Sequence, residues 1–396
     1  MTWPNAKIKE VALVVTGKTP SKKVSEYFGG DIPFVTPSEL SQVYVETAPV
    51  TLTKLGAQTI KLVPTNSIMV CCIGSLGKTA IAARELATNQ QINTVIFDNT
   101  RVFPKYGYYA LQRLKPMMDH VAPSTTVAII NKSRFESFEI PLPPLEEQKR
   151  IAAILDKADA VRRKRQQAIE LADKFLQSVF LDMFGDPVTN PKGFEVSEIG
   201  IECEIKGGKR IPKGDTLVRY DTGFPYIKAG NIKDGEVTGK HLEYVTPEVR
   251  DKIKRYTVNK GDICITVVGA NIGDVGIVPE ELHLASLTEN ANKILINDKN
   301  RLRTDYLAEA LTTDFIQKQI KQKTMAVGVP KLALFRIQQL KILVPPIEVQ
   351  KDFEKRKRLL VGLLKKSNEN LSASERIFTS LSQQAFKGEL TKDEAA

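Results

Sequence analysis

Residues that build metal sites and disulfide frameworks are scarce in this 396-residue sequence. It contains three scattered histidines and four cysteines, and no two cysteines are spaced as a CxxC pair. The cysteines are Cys71, Cys72, Cys203 and Cys264, and three of them lie in apolar, strand-like runs. We therefore expect buried, reduced thiols, as is usual in the cytoplasm, and no catalytic metal cluster.

Long apolar runs are also absent. No segment approaches the roughly 18 uninterrupted apolar residues of a transmembrane helix. The first five residues have neither the basic start nor the apolar core of a signal peptide. These absences predict a cytoplasmic protein without a membrane span. The 42% hydrophobic content is ordinary, and the chain is long enough for two or three domains with cores.

Acidic residues are outnumbered by basic ones. The 57 Lys and Arg residues against 46 Asp and Glu residues give a formal charge of 57 − 46 = +11. A surplus of this size favours a polyanionic partner, with nucleic acid first and a membrane surface second.

Glycine and proline are missing from one long stretch. It follows the segment Pro141-Leu142-Pro143-Pro144-Leu145-Glu146-Glu147-Gln148 and runs to Phe184, where Gly185-Asp186-Pro187 forms a helix stop. The ~38 residues between predict one helix of about 57 Å. Apolar residues recur along it at heptad positions a, d and e: Ile151, Ala158, Ala172 and Val179; Ile154, Val161, Ala168 and Phe175; Leu155, Ile169 and Leu176.

A second segment of the same kind lies 202 residues later. Val344-Pro345-Pro346-Ile347-Glu348-Val349-Gln350 precedes a run to Phe386 whose only glycine is Gly362. Its apolar stripe is Phe353, Leu360, Leu363, Leu364, Leu371, Ile377, Phe378 and Leu381, interrupted by the polar residues Ser367, Asn370 and Ser374. The two stripes predict antiparallel helices that form an intramolecular coiled coil. Two independent surface helices are the alternative, but such wide stripes are poorly suited to water.

The repetition extends beyond the helices. Gly17-Lys18 recurs as Gly208-Lys209 after 191 residues, residues 31–35 as 223–227 after 192, and Tyr106 as Tyr306 after 200. Gly74 and Gly77 likewise recur as Gly269 and Gly273. Because the offsets only grow and the order is unchanged, we infer a tandem duplication.

Each half is predicted to be a mixed α/β domain followed by a long helix. A pseudo-twofold axis is expected to relate the two halves. Predicted strands cover residues 32–36, 67–73, 94–97, 225–228, 262–268 and 293–296, and short helices cover 106–118 and 305–321. The predicted segments are a first domain at 1–144, a helix at 145–184, a linker at 185–192, a second domain at 193–346, a helix at 347–386 and a tail at 387–396.

The sequence contains a domain, a proline-rich junction and a long helix that ends at Phe184-Gly185-Asp186-Pro187, and the same three parts then recur. In this order of parts it resembles the DNA specificity subunit of type I restriction–modification enzymes. The resemblance implies a non-catalytic chain with two target-recognition domains, each reading one half of a split, asymmetric site in double-stranded DNA. It implies helices that set the spacing and dock two methylase subunits, with restriction and translocation subunits completing the complex. S-adenosylmethionine and ATP are then expected on the partner subunits, and no cofactor or metal on this chain.

Three motifs with catalytic associations are incomplete. Residues 74–79 resemble a P-loop, but Cys72 replaces its first glycine. Asp186, Glu204 and Lys206 imitate a nuclease metal site without a counterpart in the first half. Asn190-Pro191 lacks the second proline of an adenine-methylase motif. The remaining rivals are a protein-binding coiled-coil scaffold and, less favoured, a metal-dependent nuclease.

Polar and basic loops at equivalent places in the two halves are the candidate DNA contacts. They comprise Lys18, Thr19, Lys22, Lys23, Ser38, Ser75 and Lys78 in the first half, and Lys209, Arg210, Lys213, Asn231 and Asn271 in the second. Lysines are suited to phosphates, whereas Arg and Asn are suited to base edges. Ordinary solvated turns are the alternative for any one of them.

The helices supply the candidate docking residues Ile151, Leu155, Arg162, Lys164, Phe175, Leu360, Leu364 and Phe378. The charge runs at 162–165 and 355–358 are either solvated faces or a basic rod lying on DNA or methylase. Arg165 falls at an a position, so we expect it to meet an acidic group or leave the seam.

Overall fold

The structure is a computed structural model that describes residues 3–122, 127–233, 235–325 and 329–390; the last six residues of the predicted tail lie outside this range. The chain divides into two compact units. The first comprises residues 1–167 and 369–396, and the second comprises residues 168–368. Each unit therefore contains one globular domain, the start of the long helix that follows it, and the end of the other long helix.

The first domain is built on a mixed five-stranded sheet. Its strands are β1 (Asn5–Lys7), β2 (Ala12–Thr16), β3 (Phe28–Val35), β4 (Tyr44–Val45), β5 (Thr51–Leu52), β6 (Ile68–Cys71), β7 (Thr79–Ala82), β8 (Ala87–Thr88), β9 (Ile92–Phe97) and β10 (Glu139–Pro141). Its helices are α1 (Ile8–Val11), α2 (Lys54–Ala57), α3 (Pro104–Gln112), α4 (Lys115–Val121) and α5 (Lys132–Glu136), and the first long helix is α6 (Leu145–Phe184). The main sheet has the order β2-β9-β6-β7-β4, beside the three-stranded sheet β5-β3-β8 and the pair β1-β10.

The apolar run of β6 is explained by burial on both faces of the sheet. Ile68 and Val70 pack into the core that contains α3 and the start of α6. Met69 and Cys71, which alternate with them, pack into a second core on the other face. A strand covered on both sides needs apolar residues at every position, because successive side chains point to opposite faces.

The second domain repeats this plan. Its strands are β11 (Glu195–Glu198), β12 (Cys203–Gly207), β13 (Pro225–Ile227), β14 (Ile232–Lys233), β15 (Gly235–Val237), β16 (Glu243–Tyr244), β17 (Ile263–Thr266), β18 (Val275–Ile277), β19 (Ser286–Leu287), β20 (Ala291–Ile296) and β21 (Lys341–Val344). Its helices are α7 (Ile199–Glu202), α8 (Pro247–Ile253), α9 (Thr304–Thr312), α10 (Asp314–Lys323) and α11 (Leu334–Gln338), and the second long helix is α12 (Ile347–Lys387). The sheets have the orders β12-β20-β17-β18-β15-β14, β16-β13-β19 and β11-β21.

The predicted fold class is confirmed, and each predicted strand overlaps an observed one. Each predicted short helix is a pair of consecutive helices, α3 with α4 and α9 with α10. The long helices have their predicted starts, and α12 extends one residue further than predicted. Gly185 and Gly388 follow the helix ends with φ angles of +76° and +78°. This left-handed conformation favours glycine, which explains why a glycine ends each helix.

The glutamine of each proline junction is a structural residue. Gln148 is fully buried; its Oε1 accepts from the Phe103 amide at 2.8 Å, and its Nε2 donates to the carbonyl oxygens of Arg101 at 2.9 Å and Pro143 at 2.8 Å. Gln350 makes the same set of bonds to the Arg303 amide and to the carbonyls of Arg301 and Pro345. The side chain therefore fixes the start of each long helix to its own domain.

The two long helices run antiparallel in the first unit, and the end of α6 meets the start of α12 in the second. In the first unit, Ile151 near the start of α6 shares a core with Phe386 near the end of α12, and Arg165 further along α6 meets Asn370 further back along α12. In the second unit, Phe184 at the end of α6 packs on Phe353 near the start of α12, with ring centroids 5.4 Å apart.

The predicted apolar seam is wrong at several positions. Val161, Phe175, Leu363 and Ile377 are 47 to 62% exposed. Fully buried helix side chains such as Ile151, Leu155, Phe184 and Phe353 occur instead where a helix packs on a globular domain. The domains, and not the facing helix alone, thus decide which residues of the stripe are buried.

Arg165 also departs from its prediction. Its Nη1 donates to the Asn370 carbonyl oxygen at 2.6 Å and to the Ser374 hydroxyl, with no acidic partner among the described residues. Asn370 and Ser374, which interrupt the apolar stripe of α12, thus accept the hydrogen bonds of this cation.

We expect Gln148→Ala to lower the free energy of unfolding by about 2–4 kcal/mol, because it removes three hydrogen bonds whose net contribution is about 0.5–1.5 kcal/mol each. Gln350→Ala should have a similar effect in the second unit. Gln167→Ala, an exposed position of the same helix, is the control and should change stability by less than about 0.5 kcal/mol. Chemical denaturation measures the difference, and equal effects at 148 and 167 would contradict this role.

Candidate nucleic-acid interface

One edge of the main sheet gathers the predicted loops of the first domain. Strands β2 and β6 end at this edge, where β7 and β9 begin, as the pairs Thr16–Asn93, Cys71–Ile92 and Val70–Thr79 show. Residues 17–23, 72–78 and 89–91 therefore emerge together. We call these three segments the loop edge of the domain. The segment 36–39 starts beside them, because the Asn89 amide donates to the Val35 carbonyl oxygen.

The second domain has an equivalent loop edge formed by residues 208–213, 267–274 and 288–290. The strand pairs Gly207–Asn292, Thr266–Ala291 and Ile265–Val275 show that these segments leave the sheet at the same edge. The segment 228–231 also starts beside it, since the Thr288 amide donates to the Ile227 carbonyl oxygen. The duplication thus places the corresponding loops of both halves at the corresponding edge.

Glycine is required where each first loop begins. The Gly17 and Lys18 amides donate to the carbonyl oxygens of Ile92 and Thr88 at 3.0 and 2.9 Å. A Cβ atom on Gly17 would lie 2.2 Å from the Asn89 carbonyl oxygen, and one on Gly208 would lie 2.0 Å from that of Thr288. No side chain fits at these distances, which explains the repeated Gly-Lys dipeptide.

A strand follows the turn that contains Gly74 and Gly77, and this excludes the P-loop alternative. Gly74 and Gly77 have φ angles of +80° and +77°, and the Gly77 amide donates to the Cys71 carbonyl oxygen at 2.9 Å. The turn leads into strand β7, whereas a P-loop leads into a helix whose N-terminus binds phosphate. It is a tight hairpin that leaves Ser75 and Lys78 exposed at the loop edge.

The segment 89–91, which connects the loops of the first domain, is not among the residues predicted from the sequence. Thr19 Oγ1 donates to Gln90 Oε1 at 2.7 Å, and Gln91 Nε2 donates to the Ile73 carbonyl oxygen at 3.4 Å. The segment is polar and precedes a strand, as many loops do. One signal was present: Asn93, just beyond it, recurs as Asn292 after 199 residues.

In the second domain the corresponding contact is an ion pair. Arg210 Nε donates to Glu289 Oε1 at 2.6 Å, while the buried Thr288 hydroxyl donates to Glu289 Oε2 at 3.1 Å. Partial burial opposes ionisation of Glu289, but hydrogen bonds from Arg210, its own backbone amide and Thr288 outweigh it and lower its pKa. The hydrogen bond to Glu289 correspondingly raises the pKa of Arg210.

The other candidates differ in how accessible they are. Exposed side chains belong to Lys18, Lys22, Lys23, Ser38, Ser75, Lys78, Lys209, Lys213 and Asn271. Ser38 is hydrogen-bonded to Thr36 and Glu39, both at 2.7 Å, so part of its capacity is used locally. The Lys209 ammonium lies 5.7 Å from the centre of the Tyr256 ring.

Asn231 does not belong with the candidate contacts. It is 6% exposed; its Oδ1 accepts from the Lys228 amide and its Nδ2 donates to the Lys240 carbonyl oxygen, both at 3.0 Å. Both ends of the amide are occupied in holding the backbone turn. A buried polar residue in a turn looks the same in sequence as an exposed one, which explains the wrong prediction.

The helix candidates differ in how far they are buried. Ile151 and Leu155 are fully buried in the core of the first unit, so they attach α6 to its domain and are inaccessible to another protein. Leu360, Leu364 and Phe378 are partly buried, whereas Phe175 and Lys164 are exposed. Arg162 is half-buried and forms an ion pair with Asp159 at 2.6 Å.

Part of the charge of the two helix runs is paired with neighbouring acids. Arg162 and Arg163 share Asp159, and their partner is itself buried. On α12 the corresponding pairs are Arg356–Asp352, Lys357–Glu309 and Arg358–Glu354, at 3.0 to 3.1 Å. Three of the four cations in the α12 run are thus paired with an acid, whereas two on α6 share a single carboxylate.

Other chemistry finds little support in the described part of the chain. It contains no group of three or more His, Cys, Asp or Glu residues that could hold a metal ion, and none of its helices is long and apolar enough to cross a membrane. Lys206 pairs with Glu204 at 2.8 Å, and Asp186 caps the Val188 amide. The four cysteines are free and buried, and burial raises the pKa of Cys72 and Cys203 to about 12.

Known proteins match this arrangement over most of the chain. Residues 1–171 and 191–355 match the family described as the type I restriction modification DNA specificity domain. The chain belongs to this family. Among curated relatives, the type I restriction enzyme MjaIX specificity subunit of Methanocaldococcus jannaschii is 24% identical, covering 99% of this chain and 94% of its own. The EcoBI specificity subunit of Escherichia coli is also 24% identical, covering 80% of this chain and 72% of its own.

Solved structures show the same fold. The S subunit of a type I restriction–modification system from M. genitalium covers 98% of this chain and 96% of its own, with a TM-score of 0.58 at 18% identity. A chain from a study of complex assembly and conformational transition in the type I system covers 98% of each chain, with a TM-score of 0.54 at 17% identity.

We expect Gly208→Ala to destabilise the protein by about 1–3 kcal/mol, because the added methyl group collides with backbone and forces the loop edge apart. Gly230→Ala is a matched control, since nothing lies within 4 Å of the Cβ it would add. Thermal unfolding of the two variants tests the prediction. A melting temperature lowered equally by both would show that the close approach at Gly208 is unimportant.

Proposed function

We propose that this chain is the DNA specificity subunit of a type I restriction–modification complex, in which each globular domain reads one half of a bipartite, asymmetric site. The observation that carries the proposal is one loop edge built twice with different side chains. The backbone hydrogen bonds at Gly17 and at Gly208 are equivalent, whereas the polar side-chain pairs beside them differ: Thr19–Gln90 in the first domain and Arg210–Glu289 in the second. Two domains that recognise different DNA sequences require a shared backbone and different side chains at the same place.

The loop edges supply the two kinds of contact that DNA recognition needs. Exposed lysines, among them Lys18, Lys22, Lys23, Lys209 and Lys213, neutralise phosphates and hold the domains in register. Amide and guanidinium groups read base edges in the major groove. The net charge of +11 adds long-range attraction.

The chemistry belongs to other subunits of the complex. We assign methylation to two methylase subunits that bind S-adenosylmethionine, and ATP-driven restriction to further subunits, with this chain as the non-catalytic reader. The complex acts in the cytoplasm, in keeping with four free cysteines.

The exposed faces of the long helices are our proposed methylase contacts. In the second unit, Leu171 and Phe175 of α6 and Leu359 and Leu363 of α12 are 56 to 72% exposed. Large apolar side chains at (i, i+4) spacing lie on one helix face and are typical of protein interfaces. Phe175 is therefore retained as a docking residue, whereas Ile151 and Leu155 are assigned to the core.

Replacing residues 1–144 with the equivalent domain of a relative should change one half of the methylated site and leave the other half intact, because each domain carries its own loop edge. Sequencing of methylated adenines in cells that contain the chain and its methylase partner gives the result directly. A change in both halves, or in neither, would show that the domains do not read separately.

Replacing Lys18, Lys22 and Lys23 together with alanine should weaken DNA binding and reduce the slope of log affinity against log salt by about 0.9 for each phosphate that is no longer neutralised. Lys9→Ala is the control, since Lys9 is exposed but precedes β2 at the opposite edge of the sheet. Affinity is measured with the assembled methylase complex. A protein-only scaffold would bind no DNA at any salt concentration.

A further inference from the structure

We infer that the pairs Thr19–Gln90 and Arg210–Glu289 determine the base read at one position of each half-site, Gln90 selecting adenine and Arg210 selecting guanine. The inference rests on the function proposed above and names the side chains that carry it.

The two pairs occupy the same place in the two domains. The Lys18 amide donates to the Thr88 carbonyl oxygen, and the Lys209 amide donates to that of Leu287. These bonds align residue 88 with 287, and therefore residue 90 with 289, in the same way that Gly17 aligns with Gly208. Position 19 is likewise equivalent to position 210. The backbone is thus conserved between the domains while both side chains of the pair are exchanged.

Arg210 is presented for recognition and contributes little to stability. Its side chain is 79% exposed, and an ion pair this open to solvent contributes little to the stability of a fold. Glu289 uses Nε of the guanidinium, and Thr288 orients Glu289 from the buried side. Nη1 and Nη2 remain available for O6 and N7 of a guanine, the bidentate pairing that arginine favours. Glu289 is a positioning residue, because it limits the rotation of the arginine before DNA arrives.

Gln90 carries the matching features for adenine. It is exposed, and its Oε1 accepts one hydrogen bond from Thr19. A carbonyl oxygen has two lone pairs, so Oε1 can also accept from N6 of adenine while Nε2 donates to N7. The Thr19 bond sets the orientation of the amide, as Glu289 sets that of Arg210.

The test uses the complete chain assembled with its methylase subunits and maps methylated sites genome-wide. Arg210→Gln should lower discrimination for guanine at one position of the second half-site by about 10- to 100-fold and leave the first half-site unchanged. Arg210→Lys, which keeps the charge but not the fork, should lose similar discrimination with unchanged affinity for non-specific duplex. Lys299→Gln is the charge-matched control, because Lys299 is exposed beyond the far end of β20.

The reciprocal exchange is the sharper experiment. Thr19→Arg combined with Gln90→Glu transfers the pair of the second domain to the first, and we expect one adenine of the first half-site to become guanine. Glu289→Gln should reduce guanine discrimination by a smaller factor than Arg210→Gln, with melting temperature unchanged.

The outcomes separate this inference from the proposed function. If the unaltered complex methylates no bipartite site, the proposed function fails. If it does methylate one, and Arg210→Gln and the double exchange both leave every base preference unchanged, the readout pairs are refuted. A change in the wrong half-site after either substitution would also refute them.

Discussion

The structure depends on the burial of helix ends against globular domains. Phe386, near the end of α12, packs on Tyr106 of the first domain with ring centroids 5.2 Å apart. In the second unit Phe184, at the end of α6, packs on Tyr306 at 4.6 Å. Phe184 and Phe386 are equivalent residues of the duplicated plan, as are Tyr106 and Tyr306. Aromatic side chains bury large apolar areas, so each domain is completed by the distal end of the other half's helix.

Each domain also forms ion pairs with the start of its own long helix, and these pairs differ between the two units. In the first unit Lys105 of α3 pairs with Asp156 of α6 at 3.1 Å. In the second unit the signs are reversed: Glu309 of α9 pairs with Lys357 of α12 at 3.0 Å, and Asp305 lies 3.9 Å from the same lysine. The start of each long helix is thus matched to the domain that precedes it. A mismatched pairing would bring like charges together, which is a common source of specificity in repeated structures.

In each domain, the loop edge lies at one end of the main sheet and the contacts with the long helix lie at the other. Strand β9 begins at the loop edge with Ile92 and ends at Phe97, and the chain then leads to the backbone groups that Gln148 holds. Six residues of strand span about 20 Å. A side chain exchanged at position 19 or 90 therefore lies far from the buried contacts of the helix junction. This separation lets the recognised sequence change while the attachment to the helices is preserved.

The sequence alone determined the elements whose signals are local or repeated. Proline junctions followed by long runs with no proline and at most one glycine delimited α6 and α12, and growing offsets revealed the duplication, because these patterns depend on backbone preference and order along the chain. Tertiary structure decided which members of the apolar stripes are buried, why Gln148 and Gln350 recur, and how Arg165 is satisfied. It also removed Asn231 from the candidate contacts and added the segment 89–91. Burial and hydrogen-bond partnership arise from residues distant in sequence, so polar loop residues that look alike in the chain have different roles in the fold.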